Sequence, residues 1–180
     1  MMSRGLIAGV LALALSAGPA AAQAPVRMCV TAPEAESLVL AVAPDLIRQT
    51  GVACATALPP TALVRQTDSR LIAKYQGEAD AAWTRASAAL GKLVGPESQG
   101  LVQSGFARAM LASVVAPSIT GKISPSDCPA IERIVNLLEP LPAKNTAALL
   151  VTIIQLSDAD KTKAGAKSSG LPICSAKVTP

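Results

Sequence analysis

The side chains that could do chemistry here are twelve carboxylates, a scatter of serines and lysines, and four cysteines; histidine is absent from all 180 residues. That absence removes Ser-His and Cys-His nucleophile pairs, histidine-ligated zinc and haem, and an imidazole general base. The carboxylates are dispersed. Glu78 and Asp80 stand two apart, so on a helix they point to different faces. Asp158-Ala159-Asp160 lacks the further oxygen ligands and the glycine turn of a calcium loop, and Lys161 and Lys163 follow at once. No Ser-x-x-Lys opens a helix, and Gly91-Lys92 ends one rather than following a strand, so neither a serine–lysine dyad nor a phosphate loop is expected. On this reading the chain holds no metal and no cofactor.

One segment points towards an enzyme. Pro96-Glu97-Ser98-Gln99-Gly100-Leu101-Val102-Gln103 resembles the lytic transglycosylases, whose catalytic Glu-Ser is followed further along by a Gly-Leu-Met-Gln-like run. The resemblance covers eight residues and joins the two pieces without the intervening stretch. It implies a peptidoglycan-directed glycosidase with Glu97 as the catalytic acid. Such an acid needs an apolar pocket to raise its pKa. The first turn of a helix, where Pro96 puts Glu97, instead favours the ionised form. Tyr75, Trp83 and Phe106 are the only aromatic residues, too few for a long sugar-stacking groove.

Cys29, Cys54, Cys128 and Cys174 contain no C-x-x-C, which leaves a redox pair or zinc knuckle without support. An even count in an exported chain reads as two disulfides. Local pairing (29 with 54, 128 with 174) and long-range pairing remain equally open, because the helix between Cys29 and Cys54 holds its ends about 25 Å apart if straight and closer if Pro44 bends it.

Export itself is read from the N-terminus. Arg4, an apolar run over residues 6–16 and Ala20-Ala21-Ala22 form the three parts of a signal peptide, with cleavage expected after Ala22. The apolar run is too short for a membrane anchor. Removing residues 1–22 leaves 15 basic against 12 acidic side chains, too slight an excess to indicate nucleic acid. With 51% hydrophobic and 16% charged residues the remainder is expected to fold rather than stay disordered. No later run reaches the length of a membrane span.

The elements that must position any site read as helices. Thr31-Ala32-Pro33-Glu34 has capping-box spacing, and Val39, Val42, Ala43, Leu46 and Ile47 form a stripe across Pro44, with Gly51 as the expected cap. A second helix, capped by Thr67 or Asp68, carries Ile72, Tyr75, Ala79, Ala82, Trp83, Ala86 and Leu90 on one face and stops at Gly95-Pro96. A third is expected from Pro96 to about Ala116 with Leu101, Val102, Phe106, Ala109 and Ala112 inward, then a loop over residues 117–125. A fourth opens at Pro129 with Ile131, Ile134, Val135 and Leu138. Residues 147–156 are almost wholly apolar and central, as helix or, from their β-branched content, strand. Residues 158–180 read as a flexible basic tail tied back by Cys174. Pro33-x-x-Glu36-x-Leu38-Val39 recurs as Pro129-x-x-Glu132-x-Ile134-Val135, either a duplicated unit or convergence on a short amphipathic helix.

The sum is an all-α bundle of about five helices stapled by two disulfides, with a signal peptide at 1–22, a helical domain at 23–157 and the tail beyond. The expected function is non-enzymatic: a secreted or periplasmic module that meets a protein or envelope surface, with Tyr75, Trp83, Phe106 and Met110 as the candidate surface. Two alternatives are the Glu97 enzyme and a carrier of small apolar ligands whose cavity Trp83, Phe106 and Met110 line. Lys161, Lys163 and Lys167 could make weak contacts with an anionic surface.

Overall fold

The computed structural model describes residues 29–163, 165 and 170–174; among these the regular elements are all helices, joined by turns and by one isolated parallel bridge between Val30 and Ile173. The expected signal peptide and Lys167 lie outside these residues.

Helix α1 (Ala32–Ala53) sits at the centre. Its start follows from the capping box: the Thr31 backbone N–H donates to Glu34 Oε2 at 2.8 Å. Lys92 pairs with the same carboxylate and, together with the Thr31 N–H, holds it below the usual range. The run Ser37, Leu38, Leu40, Ala41, Val42, Ala43, Pro44 is buried on every side of the helix. The hydroxyls of Ser37 and Thr50 donate back to the carbonyls of Pro33 and Leu46, which satisfies them without water.

Helix α2 (Arg70–Val94) packs antiparallel to α1: Leu71 and Tyr75 meet Leu40 and Ala43, whereas Ala86 and Ala89 meet Ala35, Leu38 and Ala41. Alanines at 79, 86 and 89 let the two backbones approach. Its cap is Ser69, whose Oγ accepts from the Ile72 N–H at 3.4 Å, not Thr67 or Asp68. Gly95, at φ +88°, ends it. Helix α6 (Ala143–Lys163) lies against both, with Ala143, Ala147 and Val151 inward. Residues 147–156 are therefore helix. The helix runs past the break expected at Ser157 because Asp158 and Asp160 face Lys161 and Lys163 across one turn, the pairs standing 4.0 and 3.5 Å apart.

The expected third helix is broken in two. A 3₁₀ turn (Pro96–Ser98) leads into the single turn α3 (Gln99–Val102), and α4 (Ala107–Thr120) begins afresh after a bend. The break resets the helical register, so Ala107, Ala112 and Ala116 turn inward while Phe106 and Ala109 do not. Helix α4 also continues through Pro117, where a loop was expected. The carbonyl that Pro117 cannot serve belongs to Ser113, on the exposed side where water reaches it. Helix α5 (Cys128–Leu138) follows a 3₁₀ turn (Pro125–Asp127) and touches mainly the 3₁₀ turn Leu63–Arg65. The two copies of the sequence echo are thus both helical, but one is central and the other peripheral.

Gly51 is not the cap of α1, which runs two residues further; it is the point where α1 meets the Leu63–Arg65 turn. A Cβ there would collide with the Val64 carbonyl oxygen and stand 3.2 Å from Arg65 Cα. Gly91, within α2, has nothing within 4 Å. Gly51→Ala is therefore expected to destabilise by about 2 kcal/mol, overpacking outweighing helix propensity. Gly91→Ala should stabilise by roughly 0.5–1 kcal/mol. Urea unfolding of the two variants checks both; equal effects of the same sign would contradict the packing.

Candidate functional site

Two nested disulfides fix the framework. Cys29 joins Cys174 and Cys54 joins Cys128, with Cα atoms 5.0 and 5.6 Å apart, so the pairing is long-range and the local alternative is not formed. The outer bridge is continued by the main chain: the Val30 N–H donates to the Pro172 carbonyl at 2.9 Å and the Cys174 N–H to the Val30 carbonyl at 2.8 Å. The inner bridge is fully buried and joins the C-terminal end of α1 to the first turn of α5. Beside it, Glu132 of α5 accepts from the backbone N–H groups of Leu63 (2.7 Å) and Val64 (3.1 Å). This carboxylate cap on a 3₁₀ turn was not foreseen. The signal was the lone glutamate on the otherwise apolar face of α5, which needs a donor if it is partly buried.

Glu97 stands exposed in the 3₁₀ turn after Gly95 and lines neither of the two surface grooves described next, so no apolar pocket surrounds it. The aromatic candidates separate. Tyr75 is buried between α1, α2 and α6, and Trp83 is half-buried against the other end of α1. In the carrier alternative Phe106 and Met110 line a cavity with Trp83; in the structure both face solvent, 76% and 48% exposed. Lys161 and Lys163 are exposed and face aspartates one turn away, which offsets their charge towards an anionic surface. Among the described residues no group of three or more Cys, Asp and Glu side chains is placed to hold a metal, and no helix is long and apolar enough to cross a membrane.

Two grooves flank the α1–α2 pair. The first, about 450 Å³, is lined by Asp45, Arg48, Gln49, Gln76, Arg108 and small residues of α4. Its charges are internally matched: Arg48 reaches Asp45 at 3.4 Å, and Arg108 pairs with Asp80, holding that carboxyl below its usual range. The second, about 440 Å³, includes Glu36, Glu78, Arg85 and Lys144, with Lys144 and Glu78 3.3 Å apart. The serine hydroxyls that line the two grooves turn to their own backbone, Ser113 donating to the Met110 carbonyl in the first groove and Ser37 to the Pro33 carbonyl in the second.

What the surface does offer is apolar. The fully buried side chains are small or medium, headed by Val30, Val151, Pro44 and the inner cystine, while many of the larger ones stay outside. Along α4 and its N-cap residue Phe106, the side chains of Phe106, Met110, Val114 and Pro117 recur on one outward stripe, and Val114 is 69% exposed. On α6, Leu149, Ile153 and Leu156 form a second stripe opposite the buried one. Single exposed apolar residues are ordinary, but aligned rows of them mark contact surfaces. Comparisons with family models, with curated proteins and with solved structures find no match to this chain.

Proposed function

We propose that this chain is an exported, non-catalytic binding module whose working surface is the apolar outer face of α4, extended by that of α6. The observation that carries the reading is the inverted placement of bulk: alanines fill the contacts between helices, and the sole phenylalanine stands in water beside Met110 and Val114. Phenylalanine and methionine are enriched at the centres of protein interfaces, from which charge is depleted. Export is supported by two disulfides, which persist in oxidising compartments, and by the signal-peptide pattern of the first 22 residues.

The test is a pull-down from envelope extract with the disulfide-intact protein. Phe106→Glu is expected to abolish capture, a loss of at least tenfold, while Glu97→Gln leaves it unchanged. Turnover of peptidoglycan by the purified protein, lost in Glu97→Gln, would overturn the reading in favour of the glycosidase class.

A further inference from the structure

We propose that α4 is the two-fold interface of a homodimer, its outer face packed against the same face of a second copy of this chain. The inference rests on the reading of that face as a contact surface and names its partner: what the α4 face captures, and what Phe106→Glu would lose, is a second copy of this chain.

Three observations select a second copy. The face carries no charge. Arg108 is the only ionisable residue of α4, and it turns inward to Asp80. A lipid headgroup surface would call for basic residues flanking the apolar stripe, and a charged partner would call for opposite charge; α4 presents neither. A surface that matches an uncharged apolar stripe is another uncharged apolar stripe.

The stripe is also self-complementary. In an antiparallel pair of α4 helices whose dyad passes between Met110 and Val114, Met110 meets Val114 of the second copy. Phe106, the bulkiest side chain, then falls over Pro117 and Ser118, the end of the stripe where side chains are small. Such an isologous contact closes at two copies and leaves no apolar row to propagate.

The area suffices. Three quarters of a phenylalanine side chain of roughly 200 Å² faces water at Phe106. Scaled along the 14-residue helix, the outer face exposes on the order of 500 Å² per copy, so that pairing buries about 1,000 Å², the threshold for a specific interface. The stripe of α6 is the weaker candidate because Asn145 and Asp160 lie on the same face and would be buried with it.

Sedimentation of the disulfide-intact protein across the micromolar range tests this. Wild type is expected at twice the chain mass. Met110→Lys, and separately the more exposed Val114→Glu, should return it to a single mass with unchanged helical circular dichroism, weakening association at least a hundredfold. Ser113→Cys, beside the dyad, should cross-link two copies on mild oxidation, whereas Thr84→Cys on α2 should not. A wild type that stays single at every concentration, or a dimer that survives both variants, would overturn the proposal. A single-copy wild type whose envelope capture is still lost in Met110→Lys would overturn the dimer while leaving the contact surface intact. Loss of neither would sink both.

Discussion

The paired variant Cys54→Ala/Cys128→Ala is expected to unfold about 4 kcal/mol more readily than wild type, read from the urea midpoint. The bridge spans 74 residues of sequence, and a cross-link of that span lowers the entropy of the unfolded chain by an amount worth about 4 kcal/mol. A natural domain has roughly 5–15 kcal/mol in all, so one bond decides a large part of the margin. The effect is concentrated on α5. Among its residues only Cys128 is buried, and the row Ile134, Leu137 is exposed. Without the bridge, α5 is held by the Glu132 contacts and by Lys74, whose ammonium donates to the carbonyls of Glu139 and Leu141.

The two bridges should also differ in reactivity. Both inner sulfurs lie on residues with no exposure, while Cys29 and Cys174 are partly open to water. Reduction proceeds by thiolate attack and needs access. A mild reductant without denaturant should therefore open only Cys29–Cys174, seen as two alkylated cysteines by mass spectrometry. Four alkylated cysteines at low reductant would mean that α5 opens on its own. Because the loops are nested, removing both bridges should cost more than the sum of the two separate losses: while one is closed, the other joins ends already held near each other, so each single removal frees less chain entropy than it would alone.

Much of this architecture is legible in the residues, and the reasons it fails in places are local. Helices α1 and α2 are readable because a capping box, an apolar period and a glycine stop agree with one another. The cysteine pairing is not, because it depends on where helices cross, which no spacing encodes. The inward assignment of Phe106 failed for a definable reason. Gly100 and Gly105 bracket a bend that interrupts one apparent helix, and a periodicity counted across it puts Phe106 and Ala109 on the wrong side although Ala112 still falls inward. Pro117 misled in the opposite direction. A proline inside a helix costs a hydrogen bond and usually ends it, but here the deprived carbonyl is exposed, so the helix survives.

The candidate surface was half visible. Phe106 and Met110 stand out in a chain with so few large polarisable side chains, yet their proposed company, Trp83 and Tyr75, belongs to the packing of α2 on α1. Composition identifies such residues, while only the fold distinguishes those that fill the interior from those left facing water. The Glu132 cap shows the same limit: a glutamate in an apolar row signals a partner, but its donors come from a turn nearly seventy residues earlier in the chain.

That carboxylate supports the second large expected effect. Glu132→Ala should destabilise by about 3 kcal/mol, because it strands two backbone donors, one of them on the buried Val64, each of which costs about 1–3 kcal/mol when left unpaired. Glu132→Gln keeps an acceptor oxygen and should cost less, which separates the hydrogen bonds from the shape of the side chain. The acid form of the same experiment has a definite sign. Desolvation pushes the Glu132 carboxyl up, but the N–H groups of Val64 and Leu63 and the Asn136 amide pull it further down, and the net result lies below the ordinary value of 4.5. A folded-state pKa below the unfolded one means that the stabilisation is complete above the unfolded pKa and disappears as pH falls through the folded one. Wild type should therefore lose more stability than Glu132→Gln does as pH falls from neutrality through the ordinary carboxylate range and below it. Glu34, Asp80 and Asp127 are also held low and contribute acid sensitivity to both proteins, so the difference between the two urea midpoints, not either curve alone, isolates Glu132. If the two curves run parallel through that range, the carboxylate is not what clamps the Leu63–Arg65 turn to α5, and the inner disulfide and the Lys74 contacts must hold that corner of the molecule.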